Sequence, residues 1–318
     1  MNRTSFSTYK KISIFLAAFI LLPVLWLGSI ATAPEQASAA SSTSEIKVTV
    51  NNKAVVFQDA KPVQMEGRVL VPLRAVLEGM GAKVDWNSKQ QLVTVDYSKD
   101  TDKVIVYVEM TVGSPFVGRT LTTSNGAVSS KVVKVDVPTR MINNRVYIPL
   151  RASGEFLGYS VSWKENTLQA GLKQAGVTAT TVSFPEYTLR GDLKEMQQEE
   201  LEVFFLTNVV REKRGAKVPL GLDVSLSKVA RVKSKDMNDN QYFDHTSPTY
   251  GSPFEMMDQF GIDYSAAGEN IAYGYRTATL VTNGWEDSPG HLKNMLSSSF
   301  KYIGIGMNNY YWTQQFIG

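Results

Sequence analysis

The sequence predicts an α+β protein in which a small duplicated module is followed by a second α+β domain. Three observations predict this class. A motif recurs 77 positions further along the chain (145 − 68 = 77), a stretch without periodicity follows the repeat, and segments of helical and strand periodicity then alternate up to the C-terminus. At 318 residues, the chain is long enough for two or three domains.

The composition excludes several kinds of chemistry. The chain has no cysteine, which rules out disulfides, thiol nucleophiles and thiolate zinc sites. It has only two histidines, so imidazole chemistry depends on His245, His291 or both. A hydrophobic content of 43% is enough for a folded core.

The N-terminus has the order of features of a secretory signal peptide. Three basic residues, the last of them Lys11, precede the apolar run Ile12–Ile30, and small residues follow, with a cleavage site after Ala39. We therefore predict a signal peptide at residues 1–39 and a secreted or cell-wall-associated protein. The apolar run approaches the length that spans a bilayer, although Pro23 interrupts it, so an uncleaved membrane anchor is the alternative.

Removal of this segment leaves an almost neutral protein. Three basic residues and one acidic residue are lost, so 30 basic and 29 acidic residues remain (33 − 3 and 30 − 1) and the net charge falls from +3 to +1. No basic stripe is left to bind nucleic acid, so we expect no such partner. An exported chain without cysteine is typical of many Gram-positive bacteria.

The repeat is a duplicated supersecondary unit. Arg68–Arg74 (Arg-Val-Leu-Val-Pro-Leu-Arg) recurs as Arg145–Arg151 (Arg-Val-Tyr-Ile-Pro-Leu-Arg), and the match extends to Trp86 and Trp163. Each copy is predicted to form a strand, a short helix after Pro-Leu-Arg, a glycine turn and a strand around the tryptophan.

Each copy also places an arginine and a glutamate four residues apart on its helix. Arg74 with Glu78, and Arg151 with Glu155, can form an ion pair on one helix face. A ligand site is the alternative, but no nucleophile or metal-ligand cluster accompanies them. Residues 45–172 resemble the copper amine oxidase N-terminal-like domain. The resemblance implies a stalk or adaptor rather than copper chemistry, because neither histidine lies in this region.

Residues 173–192 are predicted to be a linker, and residues 193–318 a second domain. A helical pattern begins near Leu193 and ends at Gly215, and a second helix is expected from about Ser225 to Met237. His245 follows in a loop.

The C-terminal end of the chain adds a helix and a hairpin. Ser288 is a good N-cap with Pro289 after it, so His291 would lie in the first turn of a helix, whose dipole disfavours imidazolium. In Ile303–Met307, glycines alternate with apolar residues, which predicts a strand with one bare face for close packing. Asn308 and Asn309 are expected to turn this strand into the last one.

The C-terminal motifs together resemble the CAP superfamily (cysteine-rich secretory proteins, antigen 5 and plant pathogenesis-related proteins), and in particular its bacterial branch. They are Phe243-Asp-His-Thr-Ser-Pro, Gly268-Glu-Asn-Ile-Ala, Gly290-His and Tyr311-Trp-Thr-Gln-Gln-Phe. The resemblance implies an α-β-α sandwich with a cleft lined by two histidines and acidic residues, which holds zinc in some members.

Carried over to this chain, the resemblance makes His245, Glu269 and His291 the candidate catalytic and metal-binding residues. Two positions depart from the family pattern: Tyr311 stands where animal and plant members have a histidine, and Ser288 stands at the usual place of the second acid. Glu286 and Asp287 are the nearby acidic candidates.

Two imidazoles and a carboxylate suit Zn²⁺ or another divalent metal with one coordination position left open. In that arrangement Glu269 could act as a general base toward a metal-bound water. A Ser/His hydrolase using Ser247 or Ser288 is disfavoured, because neither serine lies in a Gly-x-Ser-x-Gly turn.

Simpler structural roles are the alternatives. The histidines could support loops, Glu269 could cap a backbone, and Asn270 is expected to fix a loop. A group of apolar residues is expected to belong to the core rather than to a lipid pocket: Met256, Met257 and Phe260.

We therefore expect a secreted or cell-surface protein that binds a cell-wall or lipid component through a His/Glu cleft with a divalent metal. A metal-dependent, peptidase-like hydrolase acting on extracellular or wall substrates is the alternative. A membrane contact is expected only if the N-terminal segment stays uncleaved.

Overall fold

The computed structural model describes residues 45–99, 104–176 and 182–318. The predicted signal peptide therefore lies outside the described residues. The N-terminal part consists of the following elements: β1 (Lys47–Val50), β2 (Lys53–Ala54), β3 (Val63–Met65), β4 (Arg68–Pro72), α1 (Leu73–Gly79), β5 (Lys83–Asn87), β6 (Leu92–Lys99), β7 (Val104–Thr111), β8 (Phe116–Thr122), β9 (Val128–Lys134), β10 (Arg140–Ile142), β11 (Arg145–Pro149), α2 (Leu150–Phe156), β12 (Tyr159–Lys164) and β13 (Gln169–Gln174).

The C-terminal part continues with five strands and five helices. They are β14 (Glu186–Arg190), α3 (Gln198–Lys213), β15 (Gly221–Asp223), α4 (Val224–Asp239), α5 (Pro253–Gln259), β16 (Ala267–Tyr273), α6 (Ala278–Glu286), α7 (Pro289–Leu296), β17 (Tyr302–Asn308) and β18 (Tyr311–Ile317). Within residues 45–99, 104–176 and 182–318, no helix is both long enough and apolar enough to cross a membrane.

The two copies of the repeat pair with each other around a local two-fold axis. Strands β4 and β11 run antiparallel, with Leu70 opposite Pro149, Val71 opposite Ile148 and Pro72 opposite Tyr147. The offset of 77 turns the pair Leu70–Pro149 into the pair Tyr147–Pro72. It turns Val71 into its own partner, Ile148, so this pair lies on the local two-fold axis. In both copies a strand, a short helix and a strand around the tryptophan follow one another as predicted.

Two equivalent ion pairs cross between the copies. Arg68 Nε lies 2.6 Å from Asp136 Oδ2, and the equivalent Arg145 pairs with Asp59. The aspartates are also 77 positions apart, so the same contact is made twice in opposite directions. All four side chains are at least partly exposed, so neither pair is a large source of stability.

The predicted helix ion pair forms in only one copy. Arg74 Nη1 lies 3.1 Å from Glu78 Oε1, as expected. The prediction for Arg151 and Glu155 is wrong: the Glu155 carboxylate accepts hydrogen bonds from the backbone N–H and the hydroxyl of Ser183 instead. The segment after the repeat thus displaces the arginine from its predicted partner.

A continuous sheet connects the repeat to the C-terminal part. Its strand order is β16-β18-β17-β15-β14-β9-β8-β7-β6-β5. Strand β14, which lies inside the segment predicted as a linker, pairs antiparallel with β9 and parallel with β15. The domain boundaries at residues 45–172, 173–192 and 193–318 remain predictions.

The C-terminal part has helices on both faces of its sheet. Neighbouring residues of β18 point to opposite faces, as in any strand. Thr313 is hydrogen-bonded to Ser234 of α4 at 2.8 Å, whereas Gln314 donates to Thr207 of α3 at 2.9 Å. Helix α4 therefore covers one face and α3 the other, which confirms the predicted α+β class with an α-β-α layering.

The bare glycine face of β17 is confirmed, and α4 packs against it. A Cβ atom added at Gly304 would lie 2.4 Å from the carbonyl carbon of Leu226, and one at Gly306 only 2.0 Å from the backbone nitrogen of Arg231. The turn after β17 differs from the prediction by one residue, because Asn309 and Tyr310, rather than Asn308 and Asn309, have positive φ angles.

Candidate functional site

The loop that carries His245 is attached to α4 by a buried lysine. Lys233 is fully buried, and its Nζ donates to the backbone carbonyls of Asp244 and His245, each at 2.8 Å, and to the hydroxyl of Tyr242 at 3.0 Å. Burial lowers the pKa of Lys233. One ammonium group thus fixes the backbone on which His245 stands.

Asp236, one turn further along α4, fixes the same loop from its other end. Its carboxylate accepts hydrogen bonds from Ser247 at 2.6 Å and Thr249 at 2.8 Å, and also from Tyr242 and Asn240. Burial alone would raise the pKa of Asp236, but these four hydrogen bonds lower it overall. The aspartate therefore stays ionised and the loop stays folded around it.

Glu269 orients the His245 ring. His245 Nδ1 lies 2.9 Å from Glu269 Oε1, and Gln315, opposite Glu269 on β18, donates to Oε2 at 3.1 Å. The Glu269 side chain is 1% exposed, whereas that of His245 is 50% exposed. A buried carboxylate thus holds one ring nitrogen, and the remaining nitrogen, Nε2, is left for a ligand.

His291 reaches the same edge of the sheet from α7. Its backbone carbonyl accepts a hydrogen bond from Asn270 at 3.1 Å, and Asn294 of α7 donates to the Glu269 carbonyl at 3.2 Å and to Asn270 Oδ1 at 2.9 Å. Asn270 therefore fixes the neighbouring segments, as expected. Within the described part of the chain, the buried Nδ1 of His291 has no hydrogen-bond partner.

The two histidines are shifted in opposite directions. The hydrogen bond to Glu269 raises the pKa of His245 above 6.5, against an opposing contribution from burial. Burial, together with the charge on His245, lowers the pKa of His291 below 6.5. The neutral state predicted for His291 is thus favoured, and burial is the larger of these two causes.

This difference can be measured directly, because the chain has only two histidines. In an NMR titration of the imidazole protons, we expect one histidine to titrate above pH 6.5 and the other below it. Replacing His245 by alanine should raise the pKa of His291, because a neighbouring positive charge is removed. If both rings titrate together, the pairing of His245 with Glu269 is contradicted.

The nearby acidic candidates are engaged elsewhere or exposed to solvent. Glu286 pairs with Lys213 and Arg214 at 3.1 and 2.8 Å, so this candidate for the second acid is turned toward the end of α3. Asp287 is exposed. Tyr311, at the position of the family's additional histidine, stacks on Tyr273 with 4.2 Å between the ring centroids.

The two serines considered as nucleophiles are also accounted for. Ser247 is buried, and its hydroxyl donates to Asp236 while it accepts from the backbone N–H groups of Thr249 and Tyr250. Ser288 precedes α7 as predicted but makes no side-chain capping hydrogen bond.

The expectation for the apolar residues is partly confirmed. Met256 and Met257 are fully buried core residues, whereas Phe260 is 44% exposed and packs on Tyr250.

The motifs did not identify every residue of the site. Lys233 and Asp236 lie in an ordinary-looking polar helix, and Gln315 was part of a motif without an assigned role. Phe243 and Tyr273 form an aromatic surface beside the His245 loop. Both are more than half exposed, and their ring centroids lie 6.4 Å apart. Two successive aromatic residues just before His245, Tyr242 and Phe243, were the available signal.

A metal in this cleft would be held mainly by imidazole nitrogens. In the residues that the structure describes, no three His, Asp or Glu side chains are grouped to share one ion. Because both Glu269 oxygens are hydrogen-bonded, Nε2 of His245 and a nitrogen of His291 are the donors offered. Glu269 would then orient His245, as carboxylates commonly orient metal-binding histidines. Imidazole nitrogen is a common zinc ligand, but these two donors are fewer than the three protein ligands of a typical catalytic zinc site.

Two family models match the chain in succession. The model described as "Copper amine oxidase N-terminal domain" matches residues 49–172 and 127–198, and the one described as "Cysteine-rich secretory protein family" matches residues 204–316. Residues 204–316 are a CAP domain. It follows a domain of the copper amine oxidase N-terminal type, and both resemblances seen in the sequence are confirmed.

Two curated relatives from Bacillus subtilis (strain 168) are similar to part of this chain. YkwD, an uncharacterized protein of Bacillus subtilis (strain 168), is 48% identical over 48% of this chain and 57% of its own length. YlbC, an uncharacterized membrane protein of the same strain, is 40% identical over 37% of this chain and 34% of its own. The chain thus spans only part of either relative.

Among solved structures, an extracellular protein containing an SCP domain, from Bacillus anthracis str. Ames, is 21% identical to this chain. The match covers 84% of this chain and 98% of that one, with a TM-score of 0.37.

Proposed function

We propose that the protein acts outside the cell by binding a cell-wall component in the cleft formed by His245, Glu269 and His291. The observation that carries this proposal is the Glu269–His245 pair beside a neutral His291. The first imidazole can donate a hydrogen bond from Nε2 when it is protonated, and the second can accept one. Such an arrangement suits a polar ligand that offers both donors and acceptors.

The aromatic surface next to the cleft supports a wall polymer as the ligand. Phe243 and Tyr273 present more than half of their side chains to solvent, although large apolar side chains gain free energy from burial. An extended glycan or glycopeptide could place a ring face on them while its polar groups reach His245. The signal-peptide pattern and the description of the matching family as secretory support the proposal that the protein acts outside the cell.

Retention on isolated cell walls tests this proposal. We expect the full chain to sediment with peptidoglycan-containing walls. The double variant His245→Ala/His291→Ala should lose about thirtyfold in affinity, since each of the two lost hydrogen bonds costs about 1 kcal/mol. Phe243→Ala should also weaken retention. Phe260→Ala is the matched control, because Phe260 is similarly exposed but packs on Tyr250.

Lipid vesicles form the second arm of the same experiment. Retention on vesicles but not on walls would replace the wall component by a lipid as the ligand. A protein that sediments with neither, or whose retention is unaffected by the double variant, would not use this cleft for binding.

The metal is tested separately by measuring the metal content of protein purified without a histidine tag. We propose that Zn²⁺ or another divalent ion is held by His245 and His291. We expect close to one equivalent in the full chain and none in the double variant. If metal content is negligible and wall retention is insensitive to a chelator, the cleft binds its ligand without metal.

The alternative is a metal-dependent hydrolase of peptide or wall material, and the opposite pKa shifts of the two histidines favour it. Groups whose environments separate their pKa values can act as acid and base in one reaction. When bound, the metal would supply an activated water, while Glu269 would hold His245 in place. Release of soluble fragments from walls, abolished in the double variant, would support hydrolysis. No release with or without added Zn²⁺ would leave binding alone.

A further inference from the structure

The charges of the chain are distributed unequally between its two parts. Residues 45–176 contain 17 basic and 12 acidic residues, a net charge of +5 (17 − 12), whereas residues 182–318 contain 13 basic and 17 acidic residues, a net charge of −4 (13 − 17). Such an asymmetry between the halves of a chain indicates that the basic half meets an anionic partner. A chain that is almost neutral as a whole can therefore carry a basic surface.

Three lysines lie on the outer face of the four-stranded sheet with the order β12-β13-β1-β2. Alternate residues of β1 and β13 are buried in the core, so the residues between them point outward. The outward residues form rows across the strands, which are Lys47–Gln169–Lys164, Thr49–Gly171–Ser162 and Lys173–Ser160. We call this surface, with its lysines Lys47, Lys164 and Lys173, the basic face.

The three lysines are spread over the basic face. Lys47 and Lys164 stand two strands apart, on either side of Gln169, so their Cα atoms are roughly 10 Å from each other. Lys173 lies four residues beyond Gln169 on β13, roughly 13 Å along the strand. All three lysines are exposed. Within residues 45–99, 104–176 and 182–318, none of them forms an ion pair with an acidic side chain.

A concave pocket of about 470 Å³ lies over the first two rows. Gly171 keeps its floor low, because a Cβ atom there would lie 2.8 Å from Ser162 Oγ. The hydroxyls of Thr49 and Ser162 each donate to a backbone carbonyl at 3.3 Å. Glu45, the acidic residue of the lining, is paired with Lys61 at 2.8 Å. The pocket thus combines a neutral, polar floor with two lysines that have no acidic partner among the described residues.

The duplication provides an internal comparison for the basic face. Strands β5 and β6 of the first copy correspond to β12 and β13 of the second at the offset of 77. The corresponding residues are Asn87 for Lys164, Asp96 for Lys173 and Asp85 for Ser162. All three are exposed, and Asp85 pairs with Lys83 at 2.9 Å. The shared fold therefore does not require lysines at these positions, and only the second copy carries them.

We propose that the basic face binds a phosphate-bearing polymer of the cell wall. Such a polymer repeats a negative charge along its length, so separate phosphates pair with lysines that are separated on the face, while the linking units lie on the neutral floor. The N-terminal part then attaches the protein to the wall. This occupant rests on the proposal that the protein acts outside the cell, but the basic face is separate from the cleft of His245, Glu269 and His291.

The composition of the basic face favours this polymer over a nucleic acid or a lipid surface. Its outward rows consist of lysine, glutamine, glycine, serine and threonine. Proteins that bind single-stranded nucleic acids stack the bases on exposed aromatic rings, and proteins that bind a membrane surface insert apolar side chains. A polymer of phosphates linked by small alcohols requires only positive charge and hydrogen bonds.

Titration of labelled poly(glycerol phosphate) with the full chain tests the proposal. We expect saturable binding at low ionic strength that weakens as salt is added, because exposed charges are screened. The double variant Lys164→Gln/Lys173→Gln should bind about thirtyfold more weakly, since each lysine next to a dense array of anionic groups contributes about a factor of five.

Lys83→Gln/Lys89→Gln is the matched control, because it removes the same charge from two exposed positions of the first copy. This variant should bind poly(glycerol phosphate) as the wild type does, and circular dichroism should show both lysine variants folded. The cleft variant His245→Ala/His291→Ala should also bind normally. On walls from which the phosphate polymer has been extracted, only the cleft variant should lose retention, so the two sites are tested independently.

Three results would overturn the proposal. Equal losses in the two lysine variants would mean that net charge, and not the basic face, determines binding. Tighter binding of single-stranded DNA or of anionic lipid vesicles than of poly(glycerol phosphate) would exclude the wall polymer as the occupant. The absence of saturable binding at low ionic strength would exclude an anionic polymer on this face altogether.

Discussion

Replacing Lys233 by methionine is expected to lower the free energy of unfolding by about 3 kcal/mol and to release the loop that carries His245. Methionine has nearly the length of lysine but no donor, so the carbonyls of Asp244 and His245 and the hydroxyl of Tyr242 lose their common partner. Buried acceptors without partners cost about 1–3 kcal/mol each, and the loop can recover part of this by opening to water.

The pKa of His245 shows whether Lys233 positions the loop or acts through its charge alone. The positive charge of Lys233 lowers the pKa of His245, so loss of the charge alone would raise that pKa further. The hydrogen bond to Glu269 is the larger influence and raises it. If the loop opens and this bond breaks, the pKa of His245 should instead fall toward 6.5. We expect the fall, measured in the same NMR titration as above.

Lys235→Met is the control for this variant. Lys235 lies two residues further along α4, where it is exposed and pairs with Asp239 at the surface. Exposed pairs of this kind contribute little to stability, so urea unfolding of this variant should resemble that of the wild type. Equal stability of the Lys233 and Lys235 variants would mean that the buried contacts do not hold the loop.

The pH dependence of stability follows from the directions of the two histidine shifts. Because the pKa of His245 is raised by folding, its contribution is present at low pH and is lost as the pH rises through its folded pKa. His291 has the opposite sign: its contribution is present above its unfolded pKa and is lost as the pH falls through its lowered folded pKa. The two contributions therefore oppose each other around neutral pH.

Patterns that concern neighbouring positions were sufficient to predict much of this fold. The offset of 77 identified the duplicated unit, because similar sequences fold into similar local structures. The alternating glycines of Ile303–Met307 predicted a strand face open to close packing, and α4 occupies it. The motifs also located His245 and Glu269, which lie 2.9 Å apart.

Contacts between distant segments could not be predicted in the same way. Lys233 belongs to a helix whose polar residues normally face water, and nothing local indicates that two loop carbonyls bury its ammonium group. The Glu155 carboxylate had a suitable arginine one turn away, yet Ser183 binds it because the following chain returns over the helix. Both outcomes depend on the path of a loop, which local periodicity does not determine.

Replacing Gly306 by alanine is expected to destabilise the CAP domain by about 3 kcal/mol or more, the second large effect that the structure predicts. The added Cβ atom would lie 2.0 Å from the backbone nitrogen of Arg231 and 2.1 Å from the carbonyl carbon of Ala230. These are main-chain atoms in the middle of α4, so no side-chain rotation relieves the overlap. The helix has to move away from β17, which breaks the hydrogen bond from Ser234 to the Gly306 carbonyl.

Gly290→Ala is the matched control, since a Cβ atom at Gly290 in α7 meets nothing within 4 Å. Alanine is favoured over glycine in a helix by up to about 1 kcal/mol, so this variant should be as stable as the wild type or more stable. Calorimetry should therefore show a lower unfolding temperature for Gly306→Ala and an unchanged or higher one for Gly290→Ala. Since α4 also carries Lys233 and Asp236, the Gly306 variant should disturb the His245 ring as well. A normal titration of His245 in a destabilised Gly306 variant would show that the cleft does not depend on the packing of α4.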